Sequence, residues 1–182
     1  MCGGRGTRLG TATEKPLVTI GGEAMVDRVL DALAASRIES VYAVTSPAAP
    51  ETAAHVDSPT IETPGDGYVA DLQRALSDDR VTCPVLTVAA DLPLLDGDAV
   101  DTVCEQAQET LTVAVPVGRK RALGVSVDTQ FRHGGVAVTP AGINVVGDST
   151  ERVWVTRDLR FAVNVNHSED ARRCRWLRSP VK

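Results

Sequence analysis

Apolar positions along this chain alternate between stripes at helical spacing and short β-type runs. The segment "EAMVDRVLDALAAS" at 23–36 carries an apolar stripe at helical spacing, which predicts an amphipathic helix. The segment "VYAVTS" at 41–46 is a short run rich in β-branched residues that ends before Pro47, which predicts a buried strand. The helical stripe consists of Met25, Val26, Val29, Leu30 and Leu33.

The same alternation continues to the end of the chain. Further strands are predicted at 60–63, 84–95, 111–117, 141–146 and 160–166. Further helices are predicted at 67–76, from Asp96 as N-cap to about Gln108, and from Ser168, with Glu169 and Asp170 in its first turn. Alternating strands and helices predict an α/β fold with a mostly parallel sheet and helices on both faces. The length of 182 residues fits a single domain, 1–182.

Composition narrows the functional classes. The net charge of −5 argues against a general nucleic-acid binder, which needs a basic face. No apolar run is long enough for a membrane span and no leader sequence is evident, so we expect a cytoplasmic protein. The four cysteines are scattered without a C-x-x-C pair, which predicts neither a zinc site nor a disulfide scaffold.

Ligands of α/β sheets bind beyond the carboxyl ends of the strands. This rule points to the loop at 3–10, the turn at 63–67, Asp91 and Asn166. In the loop, "GGRGTRLG" combines closely spaced glycines with Arg5 and Arg8, near Lys15. It is neither a Walker loop nor a Rossmann fingerprint. The positive charges predict a nucleoside triphosphate site, whereas the alternative is a purely structural glycine turn.

Asp91 lies at the end of the apolar run "VLTVAA" in the strand predicted at 84–95, where a carboxylate would be costly to bury. A magnesium ion held by this carboxylate and by substrate phosphates accounts for it better than a turn or cap residue does. Asn164 and Asn166 lie at alternate positions of a predicted strand and would face the same side. The turn "TPGDGY" places Gly65 and Gly67 where a flat base could approach the backbone, although a plain turn is nearly as good an interpretation.

The opening residues resemble the nucleotidyltransferase signature G-G-x-G-T-R-[L/M]…K-P. The chain as a whole resembles the archaeal-type GTP:adenosylcobinamide-phosphate guanylyltransferases of cobalamin synthesis, through "CGGRGTRLG", "EKPL", "TSPAAP", "GDGYVADL", "PAGINVV" and "FAVNVNHSEDA". This resemblance implies a Rossmann-like nucleotidyltransferase fold. It also implies that GMP is transferred from GTP to adenosylcobinamide phosphate with Mg²⁺ as cofactor.

The resemblance implies roles for matching residues. Lys15, Arg8 and Asp91 would be catalytic, and Asp91 and Asn166 would hold the metal. The nucleotide would be bound by Gly3, Gly4, Arg5, Gly6, Thr7, Gly65, Gly67, Gly142 and Asn166. Relatives begin with an apolar strand before the first glycine, whereas only Met1 and Cys2 precede Gly3 here. We therefore expect a truncated first strand.

Other functions stay open at this stage. A molybdenum-cofactor guanylyltransferase or a small sugar-nucleotide enzyme would share the fold, and a non-catalytic nucleotide-sensing domain is a third alternative. The sequence also leaves open how guanine is selected and whether the protein is a homodimer. A large corrinoid acceptor is expected to lie on an open surface built from the poorly patterned segment 118–140.

Overall fold

Short strands and helices alternate along most of the chain. The computed structural model describes residues 1–3, 9–10, 12–107, 110–148 and 150–178. The strands are β1 Thr19–Ile20, β2 Glu23–Ala24, β3 Ala43–Thr45, β4 Thr60–Glu62, β5 Val85–Val88, β6 Leu111–Pro116, β7 Phe131–His133, β8 Val136–Val146 and β9 Arg152–Val155. The helices are α1 Met25–Ala34, α2 Pro50–His55, α3 Tyr68–Leu76, α4 Gly97–Gln106, α5 Val117–Leu123, α6 Leu159–Ala162 and α7 Ser168–Arg178, and a 3-10 helix covers Lys15–Leu17.

The α/β class is confirmed, but the larger sheet is mixed rather than mostly parallel. Its strand order is β5-β8-β6-β9, and β7 pairs with the N-terminal end of β8. β6 and β9 run parallel, whereas β8 runs antiparallel to β5, β6 and β7. Gly134 and Gly135, both at positive φ, form the tight turn between β7 and β8. Such a short connection permits only antiparallel pairing.

Two smaller sheets accompany the mixed sheet. β1 and β2 form an antiparallel hairpin, and β3 pairs in parallel with β4. Met1 and Cys2 lie between β3 and β5: Cys2 N donates to Val44 O, and Met1 N donates to Val88 O. These two residues occupy the position at which the sequence predicts a first strand. The predicted truncation of that strand stays a prediction.

The main core lies between the mixed sheet and the helices α1 and α4. Four of the five residues of the predicted α1 stripe are buried, with Met25 fully covered and Val29 5% exposed, and Leu30 is partly buried. Val29 and Leu33 join Val100 and Val103 of α4 over the apolar face of the sheet. Full burial of each such side chain contributes about 1.5–3 kcal/mol. α1 therefore forms where the periodicity predicts it, because one face of the helix can be buried against the sheet.

Most predicted elements are present with bounds that differ by a few residues, but the strand predicted at 84–95 ends at Val88. Asp96 is the N-cap of α4, where its carboxylate accepts a hydrogen bond from Ala99 N at 2.8 Å. The prediction of a strand at 160–166 is wrong. Asp158 accepts a hydrogen bond from Arg160 N as the N-cap of α6, which buries Phe161, and residues 163–166 belong to no strand. The poorly patterned segment contains α5 and β7.

None of the helices in the described ranges combines the length and the apolar character that a bilayer crossing would need.

Candidate active site

Lys15, Asp91 and Asn166 meet at one point although they are far apart in the chain. Lys15 Nζ lies 2.6 Å from Asp91 Oδ2 and 2.7 Å from Asn166 Oδ1. Lys15 begins the 3-10 helix, where the buried Pro16 holds the backbone, and Asp91 follows β5. The side chains of Lys15 and Asp91 are 21% and 13% exposed, so the pair is partly shielded from water. Three of the four residues that the sequence predicts for catalysis and metal binding are thus brought together, and the fourth, Arg8, lies outside the described residues.

The second carboxylate oxygen of Asp91 is held from the other side. Asn164 Nδ2 lies 3.2 Å from Asp91 Oδ1 and 2.9 Å from Ala141 O. Lys120 Nζ donates to Asn164 Oδ1 at 2.7 Å. Asn164 contacts Asp91 directly, and Asn166 contacts Lys15, the ion-pair partner of Asp91, although the segment that carries both asparagines is not the predicted strand.

Lys120 is a lysine inside the protein, only 3% exposed. Burial penalises its ammonium and lowers the pKa of Lys120, while the negative charges of Asp91, Asp170 and Asp128 act in the opposite direction. The positive charge of Lys120 is therefore offset mainly by the carboxylates around the site.

Asp170 fixes the backbone on which Asn166 lies. Its carboxylate is 1% exposed and accepts hydrogen bonds from Asn166 N at 3.0 Å and His167 N at 2.8 Å. It also accepts from Ser126 N and Ser126 Oγ at 2.7 and 2.8 Å. Because Asp170 is in the first turn of α7, this acid also compensates unpaired N–H groups at the start of the helix.

A cleft of about 450 Å³ opens beside Lys15 and Asp91, and Gly3, Gly65 and Gly67 lie in its wall. Ser46 contacts two of these glycines. Its Oγ donates a hydrogen bond to Gly3 O at 2.7 Å, and a Cβ added at Gly65 would lie only 3.2 Å from the same Oγ. Gly65 has φ of +83° and donates its N–H to Asp71 Oδ1. Both glycines therefore have a packing reason to lack a side chain.

Gly142 lies away from the cleft wall, beside the Asn164 amide. It has φ of +82°, and a Cβ at this position would be 3.0 Å from Asn164 Nδ2 and 3.2 Å from Ala89 Cβ. Its predicted contact with the nucleotide stays a prediction. Gly4, Arg5, Gly6, Thr7 and Arg8 lie outside the described residues, so their predicted roles also stay predictions.

Three further residues support the site without having been predicted for it: Ser46, Lys120 and Asp170. Asp170 carried a usable signal, since an acid in the first turn after Ser168 is typical of a helix N-terminus. No sequence feature indicated a role for Lys120, because a buried lysine within "GRKRALG" cannot be distinguished from an exposed one by sequence.

The donor set fits a divalent cation. A carboxylate oxygen and an amide oxygen converge on one cationic atom, the Lys15 ammonium nitrogen. The described residues contain no cluster of three or more His, Cys, Asp or Glu for a metal held by protein alone. Mg²⁺ is well suited to such a partial site, because it is commonly bound by one or two protein ligands, waters and substrate phosphates.

Comparison with known proteins supports the same kind of chemistry. The chain is 30% identical over 198 residues to the adenosylcobinamide-phosphate guanylyltransferase of Methanocaldococcus jannaschii, covering 97% of this chain and 94% of that relative. A hypothetical transferase from Thermus thermophilus matches with a TM-score of 0.60 and 27% identity, over 81% of this chain and 63% of that one.

A nucleotidyl transferase from Methanothermobacter matches with a TM-score of 0.63 and 16% identity, over 97% of this chain and 94% of that one, which shows a shared fold. The predicted resemblance is confirmed by the curated relative. The profile of the MobA-like NTP transferase domain matches residues 1–180. This chain therefore belongs to the MobA-like NTP transferase family of nucleotidyltransferases.

Proposed function

We propose that this protein transfers GMP from GTP to adenosylcobinamide phosphate, releasing pyrophosphate and giving adenosylcobinamide-GDP for cobalamin nucleotide-loop assembly. The observation that carries the proposal is the near full-length similarity to a guanylyltransferase of that name. The cluster of Lys15, Asp91 and Asn166 supports it, because it offers charges of both signs beside a cleft of nucleotide size. We further propose that the chain acts in the cytoplasm as one domain over 1–182.

The reaction requires one bond to form and one to break at the α-phosphorus. An oxygen of the acceptor phosphate attacks this phosphorus, and the bond to the β-phosphate bridging oxygen breaks, with the electron pair leaving on pyrophosphate. No covalent enzyme intermediate is required. Catalysis then depends on holding the two phosphates in line and on neutralising the charge that develops on them.

Asp91 Oδ2 and Asn166 Oδ1 would hold Mg²⁺, and the bound ion would neutralise charge on the phosphate oxygens. Both oxygens accept hydrogen bonds from Lys15 Nζ. The Lys15 ammonium would contact the α-phosphate of a nucleotide bound beside them. Arg5 and Arg8 would stabilise the departing pyrophosphate through charge-assisted hydrogen bonds.

The cleft wall would receive the nucleotide. Gly3 and the predicted loop residues Gly4, Gly6 and Thr7 would bind the triphosphate, while Gly65 and Gly67 would allow the base to approach the backbone. The N–H of Gly65 is already bonded to Asp71 Oδ1, so this group would contribute shape rather than a free donor. Gly142 would support the site from the side of Asn164, opposite the cleft. Assembly of the protein as a homodimer stays a prediction.

A molybdenum-cofactor guanylyltransferase is the second candidate, because the matching family profile is described as MobA-like. Turnover of GTP with Mg²⁺ and each acceptor in turn separates the two, using chromatography of the guanylated product. We expect product with adenosylcobinamide phosphate only. Product formed only with the molybdenum-cofactor precursor would establish the second candidate instead.

Asp91→Asn in the same assay should lower turnover at least about 100-fold, the size typical of losing a preorganised electrostatic partner. Asp31→Asn on the exposed side of α1 is the matched control and should leave turnover unchanged. Normal turnover of Asp91→Asn would remove Asp91 from the chemistry.

A further inference from the structure

The two carboxylate oxygens of Asp91 have different partners. Oδ2 accepts from the Lys15 ammonium, and Oδ1 lies 3.2 Å from Asn164 Nδ2. An aspartate can rotate about its terminal torsion at little cost, which would turn the plane of the carboxylate away from the cation position. A donor that engages the opposite oxygen therefore fixes this plane and keeps one oxygen directed at the cation position.

Asn164 is itself held at both ends of its amide. Its Nδ2 also lies 2.9 Å from Ala141 O, and its Oδ1 accepts from Lys120 Nζ at 2.7 Å. The amide cannot turn over without placing Nδ2 against the Lys120 ammonium and Oδ1 against two other acceptors. With only 5% of Asn164 exposed, water cannot readily replace these partners.

Lys120 is costly to keep inside the protein. A buried ammonium loses its hydration, and only nearby negative charge and hydrogen bonds offset that loss. Lys120 Nζ donates a hydrogen bond to Asn164 Oδ1. Because Lys120 is buried, this ammonium does not face a space that a substrate could enter. An apolar side chain of similar length would fill this position without the loss of hydration.

We propose that Asn164 and Lys120 are positioning residues, with Lys120 acting through Asn164 to hold the Asp91 carboxylate so that Oδ2 faces the cation and the nucleotide. The inference rests on the proposed function, which makes Asp91 a ligand of the cation. Outer partners of this kind commonly change metal affinity or activity by about 10–100-fold when removed.

A purely electrostatic role for Lys120 predicts the opposite change in cation affinity when this residue is replaced. If its ammonium acted only as a positive charge near the site, its removal would relieve repulsion and tighten the binding of a divalent cation. If Lys120 holds Asn164, its removal frees the amide, allows Asp91 to rotate and weakens cation binding. Cation affinity without nucleotide therefore separates the two roles.

The experiment compares Asn164→Ala, Lys120→Met and the double variant. The affinity for Mn²⁺ alone is measured by electron paramagnetic resonance, and kcat and the KM for GTP are measured with the acceptor that the wild type uses. Asn164→Ser, whose shorter side chain no longer reaches Asp91, is a second variant in case the alanine protein does not fold. Val103→Ala in the core is the control for a general loss of stability.

We expect each single variant to bind Mn²⁺ about 10-fold more weakly and to lose about 10–100-fold in kcat. The KM for GTP should change by less than about twofold, and the double variant should match Asn164→Ala to within about twofold, since the two residues act as one unit. Val103→Ala should retain the wild-type Mn²⁺ affinity.

Tighter Mn²⁺ binding by Lys120→Met, additive losses in the double variant, or unchanged affinity in Asn164→Ala would each overturn the inference. The Mn²⁺ measurement needs neither nucleotide nor acceptor. A wild type that turns over no acceptor would therefore overturn the proposed function, while the role of Asn164 and Lys120 would still be decided.

Discussion

Lys15 Nζ lies 2.6 Å from Asp91 Oδ2, although 76 positions separate the two residues in the chain. The same ammonium lies 2.7 Å from Asn166 Oδ1, so one lysine compensates the polar oxygens of two distant segments. A partly shielded carboxylate without such a partner would cost free energy. Lys15 therefore stabilises both oxygens, and a cation bound by these oxygens would compete with its ammonium.

Lys15→Met should bind Mn²⁺ at least about 10-fold more tightly than the wild type in the absence of nucleotide, because a competing ion is removed, a gain of about 1.4 kcal/mol. GTP turnover should fall, since the charge beside the α-phosphate is lost. Arg132→Met on the exposed strand β7 is the charge-matched control and should change neither quantity. Weaker Mn²⁺ binding by Lys15→Met would show that the lysine does not occupy the cation position.

Gly142→Ala should destabilise the protein more than Gly135→Ala, although both glycines have φ near +80°. Each substitution costs about 1–2 kcal/mol of backbone strain. At Gly142 the new Cβ also approaches Asn164 Nδ2 to 3.0 Å and Ala89 Cβ to 3.2 Å, whereas at Gly135 it meets nothing within 4 Å. Urea unfolding should give a larger loss for Gly142→Ala by about 1 kcal/mol or more. Equal losses would mean that the neighbours of Gly142 move aside freely.

Asp170→Asn should lower the free energy of unfolding by about 2–3 kcal/mol, because one amide oxygen cannot replace a buried carboxylate toward the donors of Asn166, His167 and Ser126. Turnover should also fall, since Asn166 is fixed through this contact. Glu169→Gln is the control, because Glu169 lies one position earlier in α7 with its side chain 83% exposed. It should stay within about 0.5 kcal/mol of the wild type. An unfolding free energy of Asp170→Asn that matches this control would be inconsistent with the role given to Asp170.

Glu14 should make stability depend on pH in the acid range. Burial alone would raise the pKa of Glu14, but hydrogen bonds from the Thr52 hydroxyl and from the N–H groups of Glu51 and Thr52 outweigh it and hold that pKa below its ordinary value. A lowered pKa in the folded state means that the stabilisation is complete above the ordinary glutamate pKa of about 4.3 and is lost as the pH falls through the folded-state value.

Glu14→Gln should therefore be less stable than the wild type at neutral pH, and the difference should shrink as the pH falls below about 4.3. Urea midpoints measured from neutral pH into this acid range test this directly. A difference that stays constant across the range would mean that the charge of Glu14 contributes nothing.

Local patterning predicted most helices and several strands of this protein. The periodicity of α1 and the cap at Asp96 depend only on neighbouring residues, so both were readable from the chain. Asp91 could be placed beyond a strand end for the same reason, whereas the strand that was predicted to carry Asn166 is absent. The antiparallel course of β8 and the helix α6 could not be predicted, because pairing direction and the burial of Phe161 depend on distant segments.

By itself, the sequence determined the α/β class, the candidate residues Lys15, Asp91 and Asn166, and the family resemblance, since these depend on residue type, spacing and local pattern. Only the tertiary structure decided that Lys15 reaches both Asp91 and Asn166, and that Lys120 is buried against Asn164. Hydrogen bonds between residues far apart in the chain act over about 3 Å, so they exist only after the fold has brought their segments together. For that reason, the orientation of the Asp91 carboxylate is a property of the folded chain and not of its sequence pattern.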